Sequence, residues 1–186
     1  MIYSRTVTLK DGRTCVIRNG EEQDAEAVLA NFIATHGQTE FLSTYPDETT
    51  FTVEYEEAYL KRKKEAERDA ALVAEVDGVI TGTAGIDLIS RSDKVKHRAS
   101  FGISIDKDWW GLGIGRALTE ACIECAKAAG YAQIELGVIA DNKRAISLYR
   151  SAGFTEYGRN PKGFRTRDGR WQEDILMRLE LEEAGK

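Results

Sequence analysis

Two blocks of this chain combine residue types and spacings suited to chemistry. The first is Trp109-Trp110-Gly111-Leu112-Gly113-Ile114-Gly115-Arg116, between an alternating apolar run (Phe101, Ile103, Ile105) and an amphipathic segment reaching Gly130. A glycine turn between a strand and a helix leaves backbone N–H groups unpaired and aimed at one spot. Glycines let a phosphate come close, and the helix N-terminus adds partial positive charge. The second block is Asp141-Asn142-Lys143-Arg144-Ala145-Ile146-Ser147-Leu148-Tyr149, followed by Gly153-Phe154. Asn142 and Tyr149 stand close to two helical turns apart, so both project from one face. A tyrosine, with an ordinary pKa of about 10, is neutral near pH 7 and can donate its proton to an anionic leaving group.

Together these blocks resemble the acyl-CoA-binding core of the GNAT superfamily of N-acetyltransferases. The specific motifs lie in 99–154 and the looser likeness runs over about 14–181. The resemblance implies an α/β (α+β) fold in a single GNAT-like domain over 1–186. Its mixed, mostly antiparallel central sheet would be flanked by helices, with splayed central strands holding acyl-CoA. It implies acetyl-CoA as acyl donor, no metal, and direct transfer of the acetyl group to a primary amine. Ile103, Ser104 and Ile105 would pair their main chain with the pantetheine amides, as an added strand does. Gly111, Leu112, Gly113, Ile114, Gly115 and Arg116 would cradle the pyrophosphate. Asn142 would bond the cofactor, and Tyr149 would contact it and act as the acid.

The sequence departs from the family pattern in two places. Trp110 stands where Gln or Arg usually opens the pyrophosphate motif. The strand over 99–105 carries no acidic residue, although many members place a glutamate base there. Asp87, Glu135 and a water relay all stay open as the base. That missing carboxylate keeps a second reading alive, a non-catalytic acyl-CoA sensor. A dinucleotide-binding module is more remote. Glu135 follows Gly115 at the right distance for it, but the preceding elements read as an antiparallel meander instead of a parallel unit.

Composition narrows the partners. The chain has 186 residues, enough for one domain with a sizeable core. Its net charge of −5 argues against nucleic acid and suits a cationic substrate. Glu40, Asp47, Glu48, Glu54, Glu56 and Glu57 cluster in the segment that covers the acceptor side in relatives. The acceptor is therefore expected to be a small-molecule amine or a protein amine, and a homodimer is among the expected assemblies. The basic run Arg159 to Arg167 is an alternative receptor for a substrate carboxylate. Three cysteines imply no disulfide scaffold, no run suits a membrane span, and the first residues lack a leader's apolar stretch. A cytoplasmic location follows as the expectation.

The elements that must position these blocks are legible from pattern and punctuation. Asp11-Gly12 reads as a two-residue hairpin turn between Val7-Leu9 and Thr14–Arg18. Asn19 with Glu22 reads as a capping box opening a helix over Val28 to Ile33. Thr52 caps a second helix, acidic early and basic late. Strands follow over 70–76, 79–89 and 99–105, then the glycine turn and its helix. A strand over 131–139 and a helix over 142–151 come next. Strands over 154–158 and 175–181 close the fold, joined by the basic connection. Cys122 and Cys125 match C-x-x-C but sit on the apolar stripe, so packing is expected, not metal. Lys61-Arg62-Lys63-Lys64 reads as a solvated helix end. His36 and His97 are isolated in sequence, and Tyr45, Phe51, Tyr55 and Tyr59 read equally as packing or as acceptor pocket.

Overall fold

Turn chemistry sets up the first half of the sheet. In this computed structural model, which describes residues 1–181, Asp77 and Gly78 both take positive φ (51° and 78°). That is the two-residue turn whose twist suits a hairpin, and it joins β3 (Ala70–Val76) to β4 (Val79–Leu88). The earlier hairpin joins β1 (Ser4–Thr8) to β2 (Thr14–Asn19). Its loop is one residue longer than expected: Leu9 N–H donates to the Arg13 carbonyl, and Gly12 at φ 88° closes the turn. A left-handed glycine after a tight turn is the usual three-residue solution.

β5 (Arg98–Ile105), β6 (Gln133–Ile139), β7 (Thr155–Arg165) and β8 (Trp171–Glu180) complete a sheet of order β1-β2-β3-β4-β5-β6-β8-β7. All neighbours are antiparallel except β5 and β6. The run Arg159 to Arg167 is not a connection, as its basic composition suggested. Most of it belongs to β7, which pairs with β8 as far as Arg165↔Trp171. An irregularity between Asn160 and Phe164 accommodates Pro161, as expected for a proline confined to a bulge.

Four helices cover the sheet among the described residues: α1 (Ala25–Gln38), α2 (Val53–Glu65), α3 (Ile114–Ala128) and α4 (Lys143–Ser151). The apolar stripe of α3, including Leu118, Cys122 and Cys125, packs with Ile17, Leu72, Ile86 and Ile134. α1 and α2 bury Val28 and Leu60 with Ala71 and Val73 on the opposite face. β3 is therefore buried on both faces, which is why its sequence is apolar throughout except for Glu75. Cys122 and Cys125 are buried there as free thiols, raised by burial, Cys125 to about 11.

Asn19 does not cap α1. It ends β2, and its Oδ1 accepts from the Tyr3 backbone N–H at 2.6 Å. The capping box forms two residues later, between Glu21 and Asp24, because β2 extends through Asn19. Thr52 does cap α2, its hydroxyl oxygen accepting from the Tyr55 N–H at 3.2 Å. Thr52→Ala is expected to lower stability by about 1 kcal/mol in urea denaturation, the usual worth of such a cap. An unchanged midpoint would show that tertiary packing alone holds the start of α2.

Candidate active site

The site begins where β5 and β6 part. They pair only at Arg98↔Gln133, Ala99↔Ile134 and Ser100↔Glu135. Beyond Ser100, one side of β5 has no strand partner among the described residues. Alternation decides which groups face the gap. Asp106 N–H donates to the Thr81 carbonyl at 3.0 Å, and a Cβ built on Gly82 would lie 2.9 Å from the Ser104 carbonyl oxygen. The main chain of Ser104 therefore serves β4, and that of Ile103 and Ile105 faces the gap. The Ile105 carbonyl already accepts the Trp110 indole N–H at 2.8 Å. Ile103 is left as the open amide, and Ser104 offers its hydroxyl, 3.3 Å from that of Thr83.

The glycine turn lies at the end of this gap. Gly111 (φ 87°) and Gly113 (φ 106°) occupy the left-handed region that glycine alone enters cheaply. Gly113 is the N-cap of α3 and supplies no side-chain bond, so the first amides of the helix have no capping oxygen. The backbone carbonyl of Leu112 accepts from Lys10 N–H at 3.0 Å, tying the turn to the β1–β2 loop. Trp110 adds the second tether through Ile105. The guanidinium of Arg144 lies 5.2 Å over the Trp110 ring.

These elements enclose a cavity of about 600 Å³. Ile103, Ser104, Ile105, Gly111, Gly113, Ile114, Gly115, Arg116, Asn142 and Tyr149 all line it, with Lys10, Lys143 and Arg144. Leu112 does not, because its side chain packs against the core. Uncapped amides, a helix N-terminus and several cations make this mouth a fit for a pyrophosphate. Asn142 is the N-cap of α4, its Oδ1 accepting from Ala145 N–H at 3.1 Å, so its amide N–H₂ is the group left for a ligand. Tyr149 is buried beside Phe101 (edge-on, 6.0 Å) and Phe154. Burial raises its phenol above the ordinary value, and no hydrogen bond from it to protein is made among the described residues.

A second cavity, of about 370 Å³, opens on the face carrying α1 and α2. Leu42, Ile103 and Ser104 line both cavities, so the two meet at the splayed strand. The second is walled by Phe32, Phe51, Tyr55 and Tyr59, and holds His36, Glu56 and Asp87. Tyr45 stands apart, under the Arg167 guanidinium at 4.1 Å. Arg167 also pairs with Asp47 at 2.6 Å, and none of the basic run Arg159 to Arg167 lines either cavity. Of Glu40, Asp47, Glu48, Glu54, Glu56 and Glu57, only Glu56 lines either of these two cavities.

The base candidates separate on geometry. Glu135 is held by Arg98 (2.6 Å), Gln133 (2.8 Å) and Tyr157 (3.4 Å), and lines neither cavity. The Arg98 guanidinium keeps its carboxyl below the usual range. Asp87 lines the second cavity but is bound by the buried Lys63, which also faces Asp69 at 3.8 Å. Local sequence gives no sign of Lys10 or Leu42 in the site, since loops brought by tertiary contact place them. Among the described residues no group of three or more His, Cys, Asp or Glu comes together to hold a metal. No helix among the described residues is long and apolar enough to cross a membrane.

Comparison with known proteins agrees with this geometry. The model of the acetyltransferase (GNAT) family matches residues 36–154. An L-amino acid N-acetyltransferase of Escherichia coli is 32% identical over 165 residues, covering 87% of this chain and 95% of that protein. A GNAT-family acetyltransferase from Streptococcus pneumoniae superposes with a TM-score of 0.86 at 28% identity, covering 90% of this chain and 99% of that one. The fold is shared too with yncA of Salmonella typhimurium, solved with its cofactor acetyl-CoA (TM-score 0.81, 23% identity, covering 92% and 96%).

Proposed function

The chain belongs to the GNAT family of acetyl-CoA-dependent N-acetyltransferases, and from that membership we propose that it moves the acetyl group directly to a primary amine held in the second cavity. The carrying observation is convergence on one cavity. An open strand edge, an uncapped glycine turn and α4 supply three kinds of contact there. Pantetheine would extend along Ile103, and the pyrophosphate would rest on the amides of 113–116. Arg116, Lys143 and Arg144 would add charge there, and the Asn142 amide would hold the pantetheine arm. The thioester would then lie near Ser104, where the cavities meet. Two cavities sharing Ile103 and Ser104 let donor and acceptor bind side by side, so transfer is chiefly a positioning task.

The non-catalytic sensor is the weaker reading. Its support was a missing carboxylate on β5, and the second cavity brings other ionisable groups from α1, α2 and β4. A named relative covering most of the chain is an N-acetyltransferase acting on L-amino acids. Isothermal titration with acetyl-CoA should give saturable binding at one site. A thiol-release assay over small primary amines, amino acids and amino-terminal peptides should then give turnover on at least one class. No binding at high micromolar donor would refute the assignment, and binding without turnover on any class would favour the sensor.

A further inference from the structure

We propose that Glu56 receives the acceptor's ammonium group and takes its first proton, and that the acceptor is a primary amine carried on an apolar or aromatic body. This rests on the transfer reading above. Glu56 is on α2, 8% exposed, and is one of the residues lining the second cavity. Among the described residues it has no ion pair and no side-chain hydrogen bond, a rare state for a buried carboxylate. The cavity's other charged or titratable groups are either occupied or neutral. Asp87 from β4 is bound by Lys63 of α2, Tyr55 presents an uncharged hydroxyl-bearing ring, and burial raises the Tyr59 phenol above its ordinary value. His36 from α1 donates Nδ1–H to the Phe32 carbonyl at 2.7 Å, and burial holds its pKa below the ordinary value. No lysine or arginine lines this cavity, so an incoming cation meets one free negative charge.

The same burial that leaves Glu56 unpaired raises its carboxyl, making it a better base. The walls decide the rest of the acceptor. Phe51 and Tyr55 stack at 4.8 Å and Phe32 lies 5.9 Å from Phe51, giving flat apolar surface and no second charge to match. In the step, one ammonium proton passes to the Glu56 carboxylate, leaving a free amine and a carboxylic acid. The amine nitrogen bonds to the thioester carbonyl carbon as the carbon–sulfur bond breaks. The nitrogen then loses its second proton, the thiolate gains one, and Glu56 returns its proton to solvent.

The test compares wild type with Glu56→Gln and Glu56→Asp, using 2-phenylethylamine as acceptor probe and thiol release as readout. Glu56→Gln should lower kcat/KM at pH 7 about tenfold or more, with acetyl-CoA affinity unchanged. The deficit should shrink as pH rises and the amine deprotonates unaided, and Glu56→Asp should restore part of the rate. A Glu56→Gln protein with the wild-type rate and pH profile would overturn the inference. So would a deficit of constant size at every pH, which would make Glu56 packing alone. Wild-type protein that binds acetyl-CoA and turns over other amines but not 2-phenylethylamine would overturn the acceptor class. Failure of the transfer reading itself is distinct, since wild type would then bind no acetyl-CoA or acetylate no amine.

Discussion

Gly115→Val should weaken acetyl-CoA binding by about 10²–10⁴-fold while the protein stays folded. Gly115 lines the cavity proposed for the donor, in the first turn of α3, at an ordinary backbone conformation. A Cβ there meets only the ends of two flexible side chains, Ile105 Cδ1 and Leu148 Cδ2, each at 3.2 Å. These can yield by a few tenths of an ångström, so the fold tolerates the change. The added methyls instead occupy the space a pyrophosphate needs beside the helix amides. Losing two charge-assisted hydrogen bonds at ~1.5–3 kcal/mol each removes ~3–6 kcal/mol, which is the stated range in affinity. Gly113 is the poorer probe: its φ of 106° would add backbone strain, mixing a folding effect into the binding one. Calorimetric titration beside a thermal melt checks the prediction. Unchanged affinity in a folded Gly115→Val protein would remove the phosphate from this turn.

The half of the candidate site proposed for the donor was legible in the sequence as a cavity lining because it is made of contiguous segments. A strand, a glycine turn and a helix follow one another through 99–128, and each positional constraint acts on neighbours in the chain. Residues 141–149 repeat that economy, with Asn142 as a cap and Tyr149 two turns later. The half proposed for the acceptor was not legible, because its wall is assembled from α1, α2, β4 and β5 at once. His36 and Glu56 stand twenty residues apart and line one cavity only because two helices pack on the same sheet face. Acidic residues on that segment look alike in sequence, and burial alone separates Glu56 from Glu54 and Glu57. The misread connection before β8 has the same origin. Basic residues there mark an exposed strand whose identity comes from pairing with β8, not from its own pattern.

Tyr149→Phe should reduce kcat by about 10²-fold with acetyl-CoA affinity within twofold of wild type, at the lower end of what general acid catalysis contributes. The magnitude follows from the two acids involved. Burial raises the phenol above its ordinary value of about 10, while a thiol ionises at about 8.5. Full transfer from phenol to thiolate is therefore uphill, and in the proposed reaction Tyr149 is expected to act mainly by donating a hydrogen bond as negative charge grows on sulfur. Such a bond exists only in the transition state, so its loss falls on kcat and not on donor binding. The sign of the pH effect is fixed as well. A raised phenol stays protonated through neutral and mildly alkaline pH, so no loss of rate below about pH 10 should trace to Tyr149. Removing the hydroxyl breaks no hydrogen bond to protein among the described residues, and the ring keeps its contacts with Phe101 and Phe154, so stability should hold. Steady-state kinetics on both proteins, from about pH 6 to 10, decides it. A Tyr149→Phe protein turning over at the wild-type rate would give the proton to solvent and leave the tyrosine a packing residue.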